Sequence, residues 1–190
     1  FSSKGFTVTE LTSDVKVIAL AKNSFGLAEA SGAASAEDFA VSLNDADFNI
    51  HIQSQEKASG QVSIADAEIV VSGGRGLKGP ENWGMIEELA SVLGAATACS
   101  KPVSDLDWRP HSEHVGQTGK PVASNLYIAV GISGAIQHIA GINASKVKVV
   151  INQDPEAPFF KVADYGIVGD AFQIVPELTK KLKEFKANNN

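Results

Sequence analysis

The sequence predicts an α/β fold built on a doubly wound, mainly parallel sheet. From residue 65 onward, short apolar runs alternate with segments of helical periodicity, which is the rhythm of repeated βαβ units. The apolar runs show little polar alternation, and strands of that kind are covered on both faces, as in parallel sheets. The chain has 190 residues, of which 44% are hydrophobic, so it is long enough to form a substantial core.

The predicted elements follow one another regularly between residues 67 and 185. The expected strands are residues 67–72, 95–99, 126–130, 147–152 and 165–168. The expected helices are residues 80–93, 133–140 and 171–185. The first helix has the clearest signals, because Pro80 stands at its first turn and Ile86 and Leu89 share one face.

The first sixty residues carry weaker signals. Residues 15–21 and 47–52 have the short β-branched character of strands. Residues 26–36 are rich in Ala, Ser and Gly, and we favour a loop slightly over a helix because glycine and serine interrupt any apolar face. The chain begins at Phe1 without Met, as though entered within a domain, so we expect a piece of a longer protein.

The composition disfavours several classes of function. With 22 acidic and 16 basic side chains the formal net charge is −6, so we expect no nucleic-acid partner. No apolar stretch approaches the roughly 20 residues of a membrane-spanning helix, so we expect no direct membrane insertion. Cys99 is the single cysteine, which excludes an intrachain disulfide and a multi-cysteine metal site and fits a reducing compartment.

A glycine-rich loop follows the strand at 67–72. Gly74, Gly76 and Gly79 satisfy G-x-G-x-x-G, but Pro80 delays the helix and no carboxylate lies between residues 88 and 105. The standard NAD fingerprint is therefore not met. The backbone amides could still approach a pyrophosphate, with charge added by Arg75 and Lys78, while a tight turn that requires glycine explains the segment equally well.

Two further glycine loops have different signals. Residues 116–120 resemble a nucleotide triphosphate loop, but the spacing is two residues short and Pro121 replaces the metal-binding hydroxyl. Residues 131–138 follow a buried strand and open a helix, so their amides and the Ser133 hydroxyl predict an anion site. His138 in this helix is typical of a buried core histidine, although beside a redox ring its N–H would stabilise negative charge.

Other reactive side chains have simpler explanations. His111 and His114 lack a convincing third metal ligand and are typical of a solvated turn. Asp154 and Glu156 could form an acid–base pair, but the flanking prolines favour a rigid turn. Cys99 is interpreted as a small apolar residue at a strand end.

Four blocks of sequence together resemble a known family. Residues 70–78, 115–120, 126–138 and 152–170 are similar to the C-terminal FAD domain of the electron transfer flavoprotein alpha subunit, in order and at family spacing. The resemblance covers about residues 65–186. It implies a Rossmann-like FAD-binding domain at 64–190, and it implies that residues 1–63 are the end of the N-terminal domain of such a subunit.

The resemblance also implies how FAD lies across the carboxyl ends of the strands. Arg75 and the Ser133–Gly134 segment correspond to the pyrophosphate and ribityl contacts, and Asn152 and Asp170 to adenosine contacts. The flavin-ring positions are Ser100, Gln117, Thr118 and His138. The full expected cofactor set is Gly74, Arg75, Gly76, Ser100, Lys101, His114, Gly116, Gln117, Thr118, Gly131, Ser133, Gly134, Ala135, Gln137, His138, Asn152 and Asp170.

Two positions depart from the family pattern. Lys101 stands where the family usually has Arg, and an ammonium group cannot replace the stacking of a planar guanidinium on the flavin ring. His114 stands where Gln is common. Both changes bear on the flavin potential, and we expect Lys101→Arg to raise it.

The function implied by the resemblance is an electron carrier that performs no substrate chemistry of its own. Such a subunit pairs with a beta subunit, accepts electrons from acyl-CoA and other flavin dehydrogenases in fatty acid β-oxidation, and passes them to a quinone oxidoreductase. The expected location is the bacterial cytoplasm or the mitochondrial matrix. The alternatives are an NAD-dependent enzyme domain on the same architecture and an interaction module without cofactor. The missing ribose acid weighs against the former, and the retained Arg75, Thr118 and His138 weigh against the latter.

Overall fold

A computed structural model describes residues 7–20, 32–33, 35–54 and 63–189 of the chain. The chain divides into two units. The first comprises Phe1–Ser24 together with Val62–Asn190, and the second comprises Phe25–Gln61. Within the described part of the chain, no helix combines the length and the apolar character needed to cross a membrane.

The described residues of the first unit form a five-stranded sheet and four helices. The strands are β1 (Ile69–Gly73), β2 (Ala96–Cys99), β3 (Leu126–Val130), β4 (Val147–Asn152) and β5 (Tyr165–Val168). The helices are α1 (Gly84–Leu93), α2 (Lys101–Asp105), α3 (Ile136–Ile142) and α4 (Ala171–Asn188). Short 3-10 turns lie at Arg75–Leu77, Pro80–Asn82, His111–Glu113 and Pro158–Lys161.

All strand pairs in the sheet are parallel, and the spatial order is β2-β1-β3-β4-β5. Val70 in β1 lies opposite Ala96 of β2 on one side and Tyr127 of β3 on the other. The chain moves outward in one direction from β1 to β2 and in the other direction from β3 to β5. The predicted parallel α/β fold is therefore confirmed.

Each face of the sheet is covered by its own core. On one face, Val71, Ile128 and Ile151 pack with apolar residues of α1 and α4. On the other face, Val70, Tyr127 and Val150 pack with residues that include Ile142 of α3 and Phe159. Helices therefore cover both sides, and the sheet is doubly wound as the sequence predicts.

Two predicted strands in the first sixty residues are wrong. Residues 15–20 form a bend and irregular backbone, Asp45–Phe48 is a 3-10 turn and residues 49–52 are irregular. Val15, Ile18 and Ile50 are exposed, and β-branched residues form a strand only where a neighbouring strand and a buried face are available. Residue 21 and most of the predicted loop at 26–36 lie outside the described residues.

The helix expected at 133–140 begins later, at Ile136. Gly134 adopts a left-handed φ of +88°, and the Ser133 carbonyl accepts a hydrogen bond from Phe159 N at 3.0 Å. Ser133 therefore lies in a connecting loop three residues before the helix, and not in its first turn. The bounds of β3, β4 and β5 agree with the prediction, although β5 at the sheet edge is exposed on both faces and not covered.

Candidate functional site

The carboxyl ends of β1 and β3 lie side by side at the point where the strand order reverses. The chain leaves β1 toward β2 and leaves β3 toward β4, so the loops after these strands diverge. Such a switch point forms a crevice at the carboxyl edge of an open sheet, where ligands bind in this class of fold.

Close contact between two glycine loops forms the floor of this crevice. Gly74 N donates to the carbonyl of Val130 at 2.9 Å, and Gly76 N donates to the carbonyl of Gly131 at 3.1 Å. A Cβ atom on Gly74 would lie 2.2 Å from the Gly131 oxygen, and Gly131 itself has a φ of +63°. These positions therefore need glycine because two backbones approach each other there.

A cavity of about 530 Å³ opens at this edge, within the range typical of small-molecule sites. It is lined by most of the residues that the sequence predicts: Arg75, Gly76, Ser100, Lys101, His114, Gly116, Gln117, Thr118, Gly131, Ser133, Ala135, Gln137, His138 and Asn152. Loops after β1, β2, β3 and β4 all contribute. The structure thus brings together residues that are up to 77 positions apart in the sequence, from Arg75 to Asn152.

Three predicted site residues do not line the cavity. Gly74 is covered by Gly131, as described above. Gly134 lies against Phe159, whose backbone nitrogen would be 2.5 Å from an added Cβ. Asp170 caps α4, because its Oδ1 accepts a hydrogen bond from Phe172 N at 3.0 Å.

One wall of the cavity is the segment 114–118, which has no regular secondary structure of its own. Val115 N donates to the carbonyl of Cys99 at 3.0 Å and thereby extends the edge of β2. Gln117 N donates to the carbonyl of Gln137 in α3 at 2.8 Å. These two bonds hold the Gln117 and Thr118 side chains at the rim of the cavity.

His138 lines the cavity next to the segment 114–118 and is only 6% exposed. Its Nε2 lies 2.9 Å from the Tyr127 hydroxyl, and its buried Nδ1 has no hydrogen-bond partner among the described residues. Burial, followed by the charge of His114, lowers the pKa of His138 to about 4. The imidazole is therefore neutral at physiological pH and can supply a polar N–H without carrying a charge.

The Asn152 side chain ties two cavity loops together. Its Nδ2 donates to the carbonyl of Ile132 at 3.0 Å, and its Oδ1 accepts from Asp154 N at 3.1 Å. Asp154, which the sequence assigns to a rigid turn, also lines the cavity. Its Oδ1 accepts from Glu156 N at 2.9 Å, as expected of such a turn.

Sequence reasoning missed four residues that line the cavity: Pro102, Val115, Ile132 and Asp154. Each lies within two positions of a predicted contact, so proximity in sequence is the signal that could have found them. Val115 and Ile132 are apolar and resemble core residues, which is why their types alone do not mark a site.

Two other reactive side chains of the described residues, Cys99 and His111, are held in local structural contacts. Cys99 is buried, and burial raises the pKa of its thiol to about 12. His111 Nδ1 lies 2.7 Å from the Ser104 hydroxyl, which is itself buried. In the described part of the chain, no three His, Cys, Asp or Glu side chains are grouped so that they could hold a metal ion.

Comparison with known proteins agrees with this geometry. Residues 63–143 match the family described as electron transfer flavoprotein FAD-binding domain. The chain is 46% identical to the mitochondrial electron transfer flavoprotein subunit alpha of Dictyostelium discoideum over 194 residues, which cover 98% of this chain and 55% of the relative.

The chain belongs to the electron transfer flavoprotein alpha-subunit family. It is also 48% identical to the subunit alpha of Bacillus subtilis, with 85% of this chain and 49% of the relative covered. The subunit alpha of Paracoccus denitrificans is 48% identical, with 88% and 54% covered. The chain spans about half the length of the curated relatives it matches.

The cavity residues of this electron transfer flavoprotein domain fit FAD. His138 lines the cavity with a neutral imidazole, a group that can lie beside an uncharged flavin ring. Arg75 provides a cationic group for an anionic diphosphate, and the approach of the Gly76 and Gly131 backbones leaves the cavity floor without side chains.

Proposed function

We propose that this chain is the FAD-carrying part of an electron carrier. The observation that carries the proposal is the cavity at the β1/β3 switch point, where the loops after four strands and helix α3 bring together cations, hydroxyls and a neutral buried histidine. Bound FAD would supply the chemistry, since its ring accepts and releases electrons. The residues of the chain bind the cofactor, orient its ring and set its electrostatic surroundings.

Different residues of the cavity are proposed to contact different parts of FAD. Arg75 and the loop that contains Ser133 are proposed to bind the pyrophosphate and the ribityl chain, since both line the cavity and supply a guanidinium and a hydroxyl. Asn152 is proposed to lie at the adenosine end. The ring is proposed to contact Ser100, Gln117, Thr118 and His138.

His138 is proposed to act as a neutral hydrogen-bonding group toward the ring. An imidazole with a pKa of about 4 stays uncharged near neutral pH, so it adds no full positive charge beside the cofactor. A donor aimed at a ring that gains electrons stabilises the reduced form and raises its potential. Lys101, which also lines the cavity, is the nearby group that supplies a positive charge.

The wider role follows from family membership. We propose that residues 1–63 close an N-terminal domain, that residues 64–190 form the FAD-binding domain, and that a beta subunit completes the carrier. Electrons would come from acyl-CoA and other flavin dehydrogenases and go to a quinone oxidoreductase, with no substrate chemistry on this chain. The carrier would work in the bacterial cytoplasm or the mitochondrial matrix.

The experiment that tests this function is co-purification of the chain with a beta subunit, followed by a visible absorption spectrum. A flavin spectrum that weakens in Arg75→Ala and Thr118→Ala, but not in the surface control Lys183→Met, is the expected result. A colourless complex, or NAD-dependent turnover without flavin, would contradict it.

A further inference from the structure

Arg109 lies at the centre of an ionic cluster that does not line the cavity. Its Nε donates to Oε2 of Glu113 at 2.9 Å, and its Nη2 donates to Oε1 of the same carboxylate at 2.6 Å. Its Nη1 donates to Oε1 of Glu87 in α1 at 2.9 Å. The guanidinium also lies over the Trp83 ring, 5.4 Å from the ring centroid. We call Arg109, Glu113, Glu87 and Trp83 the Arg109 clamp.

The central pair of the clamp is largely removed from water. The Arg109 and Glu113 side chains are 19% and 8% exposed. A pair of charges loses most of its hydration in such a place, and only a well-matched geometry compensates for that loss. The two-pronged contact supplies this geometry, because a planar guanidinium presents two parallel N–H donors to one carboxylate. The hydrogen bond to Glu113 also raises the pKa of Arg109, so its charge is permanent.

Glu113 directly precedes the cavity wall at 114–118. The 3-10 turn that contains it, His111–Glu113, is too short to fix its own orientation. Farther along the wall, Val115 N and Gln117 N are held by the carbonyls of Cys99 and Gln137. The Arg109 clamp adds the anchor on the N-terminal side and ties it to α1, the helix that follows the first glycine loop.

We propose that Arg109 is a positioning residue for the FAD cavity: by bridging Glu113 to Glu87 of α1, it sets where the wall segment 114–118 lies relative to the cofactor. The proposal rests on the proposed function for the identity of the ligand. Its structural part, that Arg109 fixes the wall, does not depend on FAD. Arg109 itself would not touch the cofactor and would act through the backbone that follows Glu113.

Two variants separate the geometry of the clamp from its charge. Arg109→Lys keeps the positive charge but loses the two-pronged contact and the planar group over Trp83. Arg109→Met removes the charge and leaves Glu113 buried without its partner. The matched control is Lys183→Met. It breaks an exposed ion pair of 2.6 Å between Lys183 of α4 and Glu88, which lies on α1 next to Glu87.

The first measurement is FAD binding by the full chain with its beta subunit, at a temperature where every variant remains folded. We expect Arg109→Lys to raise the dissociation constant about tenfold, the scale of coupling between directly connected residues. We also expect an altered visible circular dichroism spectrum of bound FAD. Lys183→Met should change neither quantity. An unchanged dissociation constant and spectrum in both Arg109 variants would show that the clamp serves stability alone.

The second measurement, hydrogen exchange of the FAD-free chain, separates this proposal from the proposed function. Arg109→Lys should speed exchange of the Val115 and Gln117 amides about tenfold without speeding exchange in β3, and Lys183→Met should leave both unchanged. If the parent protein binds no FAD, the proposed function fails and the exchange rates alone decide the role of the clamp. Unchanged exchange at these two amides would overturn the proposal.

Discussion

The Tyr127 hydroxyl lies 2.9 Å from Nε2 of His138, and both side chains are buried. Burial raises the pKa of Tyr127 and lowers that of His138, so both groups are neutral near pH 7. A protein that keeps a histidine neutral in its interior binds fewer protons when folded than when unfolded at mildly acidic pH.

The first prediction concerns the pH dependence of stability. The folded pKa of His138, about 4, lies below the ordinary value of 6.5, so its contribution is fully present above pH 6.5 and is lost as the pH falls toward 4. Between pH 7 and pH 5 this histidine should cost about 2 kcal/mol of unfolding free energy. Urea unfolding at the two pH values should show that difference in the parent chain.

The variant His138→Gln has no imidazole to protonate. Its loss of unfolding free energy between pH 7 and pH 5 should therefore be about 2 kcal/mol smaller than that of the parent chain. The control is His51→Gln, because His51 is exposed. Equal losses in His138→Gln and the parent chain between pH 7 and pH 5 would mean that folding does not lower the pKa of His138.

The second prediction tests the contact between the two glycine loops. Gly74→Ala would place a Cβ 2.2 Å from the Gly131 oxygen, a backbone atom that cannot move without separating β1 from β3. We expect a loss of about 1–3 kcal/mol, the usual cost of overpacking, together with weaker FAD binding. Thermal unfolding and flavin absorbance measure the two effects.

The matched control for this change is Gly84→Ala in the first turn of α1, where an added Cβ meets nothing within 4 Å. Because alanine favours a helix over glycine, this variant should be about 0.5–1 kcal/mol more stable than the parent chain. A Gly74→Ala protein as stable as the parent would mean that the two loops can part without cost.

The sequence predicts the bounds of those elements that are determined by local residue patterns. The strands at 126–130, 147–152 and 165–168 were predicted to the residue because their apolar runs have sharp ends. The start of α3 was missed because it depends on the left-handed turn at Gly134 and its contact with Phe159, which is distant in sequence. The strands expected at 15–21 and 47–52 failed because β-branched composition cannot supply a neighbouring strand.

In the candidate site too, local sequence signals were predictable and contacts between distant residues were not. Glycines, hydroxyls and cations after strand ends were predictable, because parallel strands bring their carboxyl ends to one edge. The Arg109 clamp was not predictable. Arg109 and Glu87 are 22 residues apart, and a sequence does not distinguish a charged residue that forms such a contact from one in solvent. Asp170 is predicted to contact the cofactor but does not line the cavity, and its Oδ1 accepts a hydrogen bond from Phe172 N at the start of α4.

The third prediction concerns Lys101 at the cavity. Replacing it by arginine puts a planar, weakly hydrated cation beside the flavin ring, where it can stack and stabilise added negative charge. We expect Lys101→Arg to raise the two-electron reduction potential by on the order of 20 mV, which corresponds to about 1 kcal/mol. A redox titration with a reference dye measures it, and Lys120→Arg, outside the cavity lining, is the control. A potential that stays constant or falls would contradict the expectation.

The fourth prediction concerns β5 at the edge of the sheet. Tyr165 and Val168 are 67% and 56% exposed, and β5 pairs with β4 alone among the described strands. An exposed apolar edge strand offers unpaired backbone groups to another chain, so we expect the isolated chain to self-associate at high concentration. Val168→Lys should reduce that association, because a charge on an edge strand opposes pairing. Sedimentation velocity over a concentration series measures it. The control is Ser91→Lys, which adds the same charge at an exposed position of α1 and should leave association unchanged. An equal reduction in both variants would show that net charge, and not the edge strand, controls the association.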